Sequence, residues 1–131
     1  MHSNQHTQVQ SISQKWTQAI INNEFEQLKH LMADTFKFYP AHSEEETANP
    51  NSLINYYQCL AGHNKLHCYE RNWYTNNSAS IEFTIQFEAV SLLGMELLTF
   101  DNNGKITKCE ILAQTPKAVA ELRKLFNDGN D

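Results

Sequence analysis

Residues 80–113 read SIEFTIQFEAVSLLGMELLTFDNNGKITKCEILA. Ile81, Phe83, Ile85 and Phe87 alternate with Glu82, Thr84, Gln86 and Glu88, the period-two pattern of a strand with one face in a core. Further on, residues 96–100 and 105–113 flank Asp101-Asn102-Asn103-Gly104, whose residue types suit a tight hairpin turn. One residue in this meander is out of keeping with its neighbours. Glu96 lies in residues 92–100, LLGMELLTF, where every other residue except Gly94 and Thr99 is large and apolar. An ionised, unpaired carboxylate in a poorly solvated interior is very costly, so such a group tends to hold its proton. A neutral carboxyl in an apolar pocket can donate a hydrogen bond to a ligand oxygen. Alternation groups Glu96 with Leu98 and Phe100, against Met95, Leu97 and Thr99. Both sets are mostly apolar, so the period does not choose its face.

Upstream, residues 66–75 read as another strand, closed by the turn Asn76-Asn77. Alternation puts His67, Tyr69, Arg71 and Trp73 on one of its faces. Before it the chain reads as helix. Val9, Ile12, Trp16, Ala19 and Ile20 recur at helical spacing until Asn22-Asn23 interrupts them. Phe25, Leu28, Leu31 and Met32 continue on a shorter second helix, and residues 35–39, TFKFY, form a short strand ahead of Pro40. Residues 41–49 are a polar loop. Asn49-Pro50 is a good helix entrance, Leu53, Ile54, Tyr57 and Leu60 supply that third helix's apolar face, and Gly62 ends it. Thr115-Pro116 opens a last helix. Helices first, then a strand meander, then a short helix imply an α+β architecture with helices covering one face of a curved sheet.

The 131 residues suit a single domain, with residues 1–7 expected as a flexible tail. At 40% hydrophobic and 11% aromatic residues, the chain has enough apolar material to fold. The formal net charge of −5, with Lys and Arg scattered, argues against nucleic-acid and anionic-membrane partners. No stretch approaches the roughly 20 apolar residues of a membrane span. The polar start lacks the apolar run of a signal peptide, so the expected location is cytoplasmic. Cys59, Cys68 and Cys109 form no CxxC pair, and the histidines show no HxxxH or HxH spacing, so neither a metal nor a disulfide framework is expected. No Gly-rich phosphate loop, dinucleotide fingerprint or other sign of a cofactor is present.

Four stretches together resemble the nuclear transport factor 2-like superfamily, in particular its ketosteroid isomerase and SnoaL-like branches. WTQAIINNEFEQLKHLMADTFKFYP is similar to the first two helices and first strand, and LINYYQCLA to the third helix. NNSASIEFTIQFEA is similar to the long central strand, and ELLTFDNNGKITKCEIL to the last hairpin. The resemblance implies a conical barrel of a curved antiparallel sheet packed on three N-terminal helices, with a short C-terminal helix. It also implies a deep apolar cavity and, commonly, a homodimer.

In ketosteroid isomerases a first-helix Tyr and a protonated Asp on the penultimate strand donate to the steroid oxygen, while a first-strand Asp moves the proton. By resemblance Glu96 falls on the protonated acid and Trp16 on the helix-one Tyr. Tyr39 falls on the base, Tyr57 on a supporting third-helix Tyr, and Tyr56 on a pocket Phe. Met32 replaces a further Tyr of that network. A phenol with an ordinary pKa of about 10 is a poor general base near neutrality. That substitution speaks against the familiar isomerase mechanism, and His42, just past the strand, is the one replacement base in reach. Tyr56 and Tyr57 adjoin on a helix and do not share a direction, so one faces the cavity, with Tyr57 the polar one. Phe83, Ile85, Phe87, Leu98, Cys109, Ile111 and Ala113, with Ile81, are expected to line the cone.

The expected function is binding of a small, mostly apolar molecule bearing an oxygen near Glu96. The alternatives are an isomerase, dehydratase or cyclase-like enzyme using Glu96, Tyr39 and His42, and an interaction module with a vestigial cavity. Tyr, Arg and Trp are enriched in protein interfaces. The face carrying His67, Tyr69, Arg71 and Trp73, expected to be convex, is therefore read as the surface of a symmetric homodimer.

Overall fold

The computed structural model describes residues 2–41, 49–63, 66–87 and 90–128. His42 and the acidic run at 44–46 lie outside them, as does the side chain of Phe87. Helix α1 spans His2–Ile21. A 3-10 helix at Phe25–Leu31 leads into strand β1, Met32–Tyr39, and helix α2 follows at Pro50–His63. Strands β2 (Leu66–Tyr74), β3 (Ser78–Phe87), β4 (Val90–Phe100) and β5 (Ile106–Ala113) form the meander, and helix α3 closes the chain at Pro116–Asp128.

The helix boundaries follow from local chemistry. In α1, Val9, Ser13, Trp16 and Ile20 are buried at helical spacing. The helix starts at His2, inside the stretch 1–7 read as tail, and the His6 ring meets Tyr74 edge-on at 6.4 Å. It stops in a Schellman arrangement: Glu24 N–H donates to Ala19 O (2.8 Å) and Asn23 N–H to Ile20 O (3.2 Å). Asn23 takes the left-handed conformation this needs, with φ 59°. Asn49 caps α2 as expected, its Oδ1 accepting from Asn51 N–H at 2.9 Å.

The five strands form an open sheet in the order β1-β5-β4-β3-β2. The sheet is mixed rather than wholly antiparallel, because β1 joins β5 in parallel while the meander pairs are antiparallel. The β4–β5 turn is the one expected at 101–104. Asp101 Oδ1 accepts from Asn103 N–H and Lys105 N–H, both at 2.9 Å, and Gly104 has φ +80°. Helix α1 packs on β2 and β3, α2 on β1, and α3 on β5. The core between helices and sheet includes Trp16, Leu28, Phe36, Phe38, Leu53 and Tyr57. Among the described residues no helix is long and apolar enough to cross a membrane.

A bulge in β2 decides what this strand offers to each side. Tyr69 pairs with Phe83, but the next pair is Asn72 with Ile81, so β2 carries one more residue than β3 between them. Before the bulge, His67 and Tyr69 lie opposite the buried Ile85 and Phe83, on the inner face. After it, Trp73 lies opposite Ser80 and points outward, while Arg71 reaches the outer-face Glu82. The expectation of one convex face holding all four is thereby corrected: only Arg71 and Trp73 are outside.

Candidate functional site

Register places Glu96 on the inner face. It pairs with Ile81 on one side and Ile111 on the other, and all three are buried. Leu98 pairs likewise with Ala79 and Cys109. Lys108, on the outer face, pairs with Glu110 at 3.1 Å. Glu96 is 1% exposed, and the Trp16 indole N–H donates to its Oε1 at 2.9 Å. Its Oε2 is buried without a hydrogen-bond partner. Burial pushes the Glu96 carboxyl up from its ordinary pKa; Tyr69, Trp16 and Tyr57, whose donor groups favour the ionised form, oppose this without cancelling it. The phenol hydroxyls of Tyr57 and Tyr69 thus lie beside the carboxyl, yet neither completes a hydrogen bond.

Both α2 tyrosines are buried, 3% exposed for Tyr56 and 2% for Tyr57, which corrects the expectation that one turns away. The covered arc of α2 is wide enough for adjacent positions. Their rings meet edge-on at 5.2 Å, and Tyr56 also meets Phe38 edge-on at 5.3 Å. Burial pushes both phenols up from their ordinary pKa.

Two residues absent from the expected site stand beside it. The His67 ring is 4.8 Å from Tyr69, 5.8 Å from Phe83 and 6.2 Å from Tyr57. Its Nε2 and the Tyr69 hydroxyl are buried and have no hydrogen-bond partner. Burial lowers the His67 pKa to about 4, so the imidazole is neutral at pH 7. The available signal was Glu70-Arg71-Asn72, consecutive polar residues that a regular alternation cannot place.

Tyr39 belongs to the other face. Phe38 pairs with the buried Cys109, whereas Tyr39 pairs with Glu110, and Lys108 Nζ sits over the Tyr39 ring at 5.7 Å from its centroid. Its expected partnership with Glu96 as a base is corrected on this geometry. Phe83, Ile85, Leu98, Cys109 and Ile111 are buried on the inner side. Ala113 is only partly buried and pairs with Gly94 farther along the hairpin.

No family model and no curated protein matches the chain. Solved structures do. A steroid delta-isomerase from Pseudomonas aeruginosa superposes with a TM-score of 0.83 at 15% identity, over 94% of this chain and 91% of that one. An NTF2-like protein of unknown function from Cytophaga hutchinsonii gives 0.67 at 12% identity, over 86% and 94%. A de novo designed protein with a curved β-sheet gives 0.75 at 8% identity, over 92% and 96%. That a designed chain shares the architecture separates the fold from any one activity. The helices on a curved, open, mixed sheet, together with these superpositions, give the chain the nuclear transport factor 2-like fold.

Proposed function

We propose that the protein binds a small, mostly apolar molecule on the inner side of its sheet, with an oxygen of that molecule at Glu96. The observation that carries this reading is the half-used carboxyl: Oε1 accepts from Trp16, and Oε2 is buried beside the Tyr57 and Tyr69 hydroxyls with no completed hydrogen bond. A buried polar group left unsatisfied costs about 1–3 kcal/mol, which a ligand oxygen recovers. Burial raises the Glu96 pKa and so favours its protonated form, in which it serves as the donor. Ile81, Phe83, Leu98 and Ile111 surround it with apolar surface suited to the rest of the ligand. The position of Tyr39 on the outer face favours binding over acid–base catalysis by the expected set.

The test uses 2-acetonaphthone, an apolar aromatic ketone, titrated calorimetrically at pH 7. Glu96→Leu is expected to weaken binding about tenfold, and Glu96→Gln, which keeps a donor, by less. Unchanged affinity in both variants, with circular dichroism showing an intact fold, removes Glu96 from the site.

The outer sheet face supports a second part of the reading, a homodimer. Trp73 (49% exposed), Leu93 (46%) and Leu112 (49%) leave large apolar surface open, and Arg71 lies over the Trp73 ring at 5.4 Å. A second copy of the chain covers it face to face. Sedimentation at micromolar concentration is expected to give a dimer that Leu112→Asp converts to monomer; a monomeric wild type rejects the dimer.

A further inference from the structure

We infer that the site has a second point of hydrogen bonding, at His67 and Tyr69, and that its ligand carries a hydroxyl besides the oxygen held at Glu96. This rests on the binding function proposed above and names the ligand class more narrowly.

Four of the unmet polar atoms in this core are gathered around one cluster of rings. Glu96 Oε2, Tyr57 Oη, Tyr69 Oη and His67 Nε2 are all buried, and none has a hydrogen-bond partner. They come from α2, β2 and β4, and the contacts tie them together. Tyr57 and Tyr69 each lie beside the Glu96 carboxyl and each pack against the His67 ring. The tyrosines therefore span from the carboxyl to the imidazole. A single ligand oxygen at Glu96 leaves the imidazole end unsatisfied, and buried polar groups without partners are rare in folded proteins.

The chemistry of the second group follows from what surrounds it. Tyr57 and Tyr69 keep their protons through burial, and the same burial holds His67 neutral. No formal charge waits there for a ligand anion, and a carboxylate would be desolvated without compensation. A neutral imidazole offers one donor and one acceptor nitrogen. A hydroxyl both donates and accepts, so it satisfies Nε2 in either tautomer and the Tyr69 hydroxyl with it. A ketone or ether oxygen, which only accepts, satisfies one tautomer alone. The bulge at Glu70-Arg71 is what allows this, since it leaves His67 and Tyr69 inside while Arg71 and Trp73 serve the outer face.

The experiment compares 2-acetonaphthone with its 6-hydroxy and 7-hydroxy derivatives on the wild type, His67→Phe and Tyr69→Phe. Tyr69→Phe removes only a hydroxyl and guards against loss of folding in the histidine variant. At least one hydroxyketone is expected to bind the wild type about tenfold more tightly than the parent ketone. Both variants are expected to reduce that preference to less than threefold. Equal binding of all three ketones to the wild type overturns the second point and leaves the Glu96 reading standing, with water satisfying the imidazole. A preference that survives in both variants overturns it as well. If none of the ketones binds the wild type, the reading at Glu96 fails and this one with it.

Discussion

Acidification from pH 6.5 to about 4 should remove up to roughly 3 kcal/mol of stability from the wild type that a His67→Asn variant does not lose. The imidazole is held neutral in the fold, its pKa lowered from 6.5 to about 4 by burial. Above pH 6.5 it is neutral in both states and the full stability is present. As pH falls, the unfolded chain takes up a proton that the folded chain refuses, and unfolding gains. The loss is complete once pH passes below about 4. Glu96 titrates in the opposite sense. Its pKa is raised from 4.5, so its contribution is fully present below 4.5 and lost as pH rises through the folded value. The slope of the urea midpoint against pH, from pH 4 to 7.5, should therefore be more positive for the wild type than for His67→Asn. Parallel slopes would mean that the imidazole is solvated in the folded protein.

Gly94→Ala should lower the melting temperature by about 8 °C, corresponding to roughly 2 kcal/mol of overpacking in a chain of this size. Gly94 faces inward opposite Phe83, whose ring lies across it. An added Cβ would come 2.6 Å from Phe83 Cζ and collide with the carbonyl oxygen of Leu112. The backbone contact cannot be relieved by a rotamer change, so the β4–β5 pair must move. Phe83 must move too, and it packs against His67 at 5.8 Å. The substitution is expected to weaken ketone binding along with stability. A variant that melts like the wild type would show that the ring does not rest on this glycine.

Much of this molecule was legible before its coordinates. The alternation of residues 80–90 marks a strand, which the structure sets at Ser78–Phe87 with Val90 already in β4; the hairpin follows from Asp101 and Gly104, and the entry to α2 from Asn49-Pro50. Each rests on chemistry within a few residues. The side on which Glu96 points was not readable, because β4 is apolar on both faces; its pairing with Ile81 and Ile111 decides it. Tyr39 is a different case. The alternation in residues 35–39 sets it with Lys37, away from Phe36 and Phe38, and the structure agrees. Resemblance to an enzyme position suggested a role that the local pattern already opposed. His67 and Tyr69 were misplaced because a bulge changes the phase of a strand without changing its composition.

That phase change hangs on one extra residue in β2. Were the strand to pair in an unbroken period of two at its present length, either His67 and Tyr69 would swing into solvent or Arg71 and Trp73 would be driven into the core. Loss of Glu70 or Arg71 together with the bulge avoids this, leaving His67 and Tyr69 inside and Trp73 outside. A relative with one residue fewer at this point can therefore keep both surfaces, whereas one that straightens the strand without shortening it should have abandoned one of them.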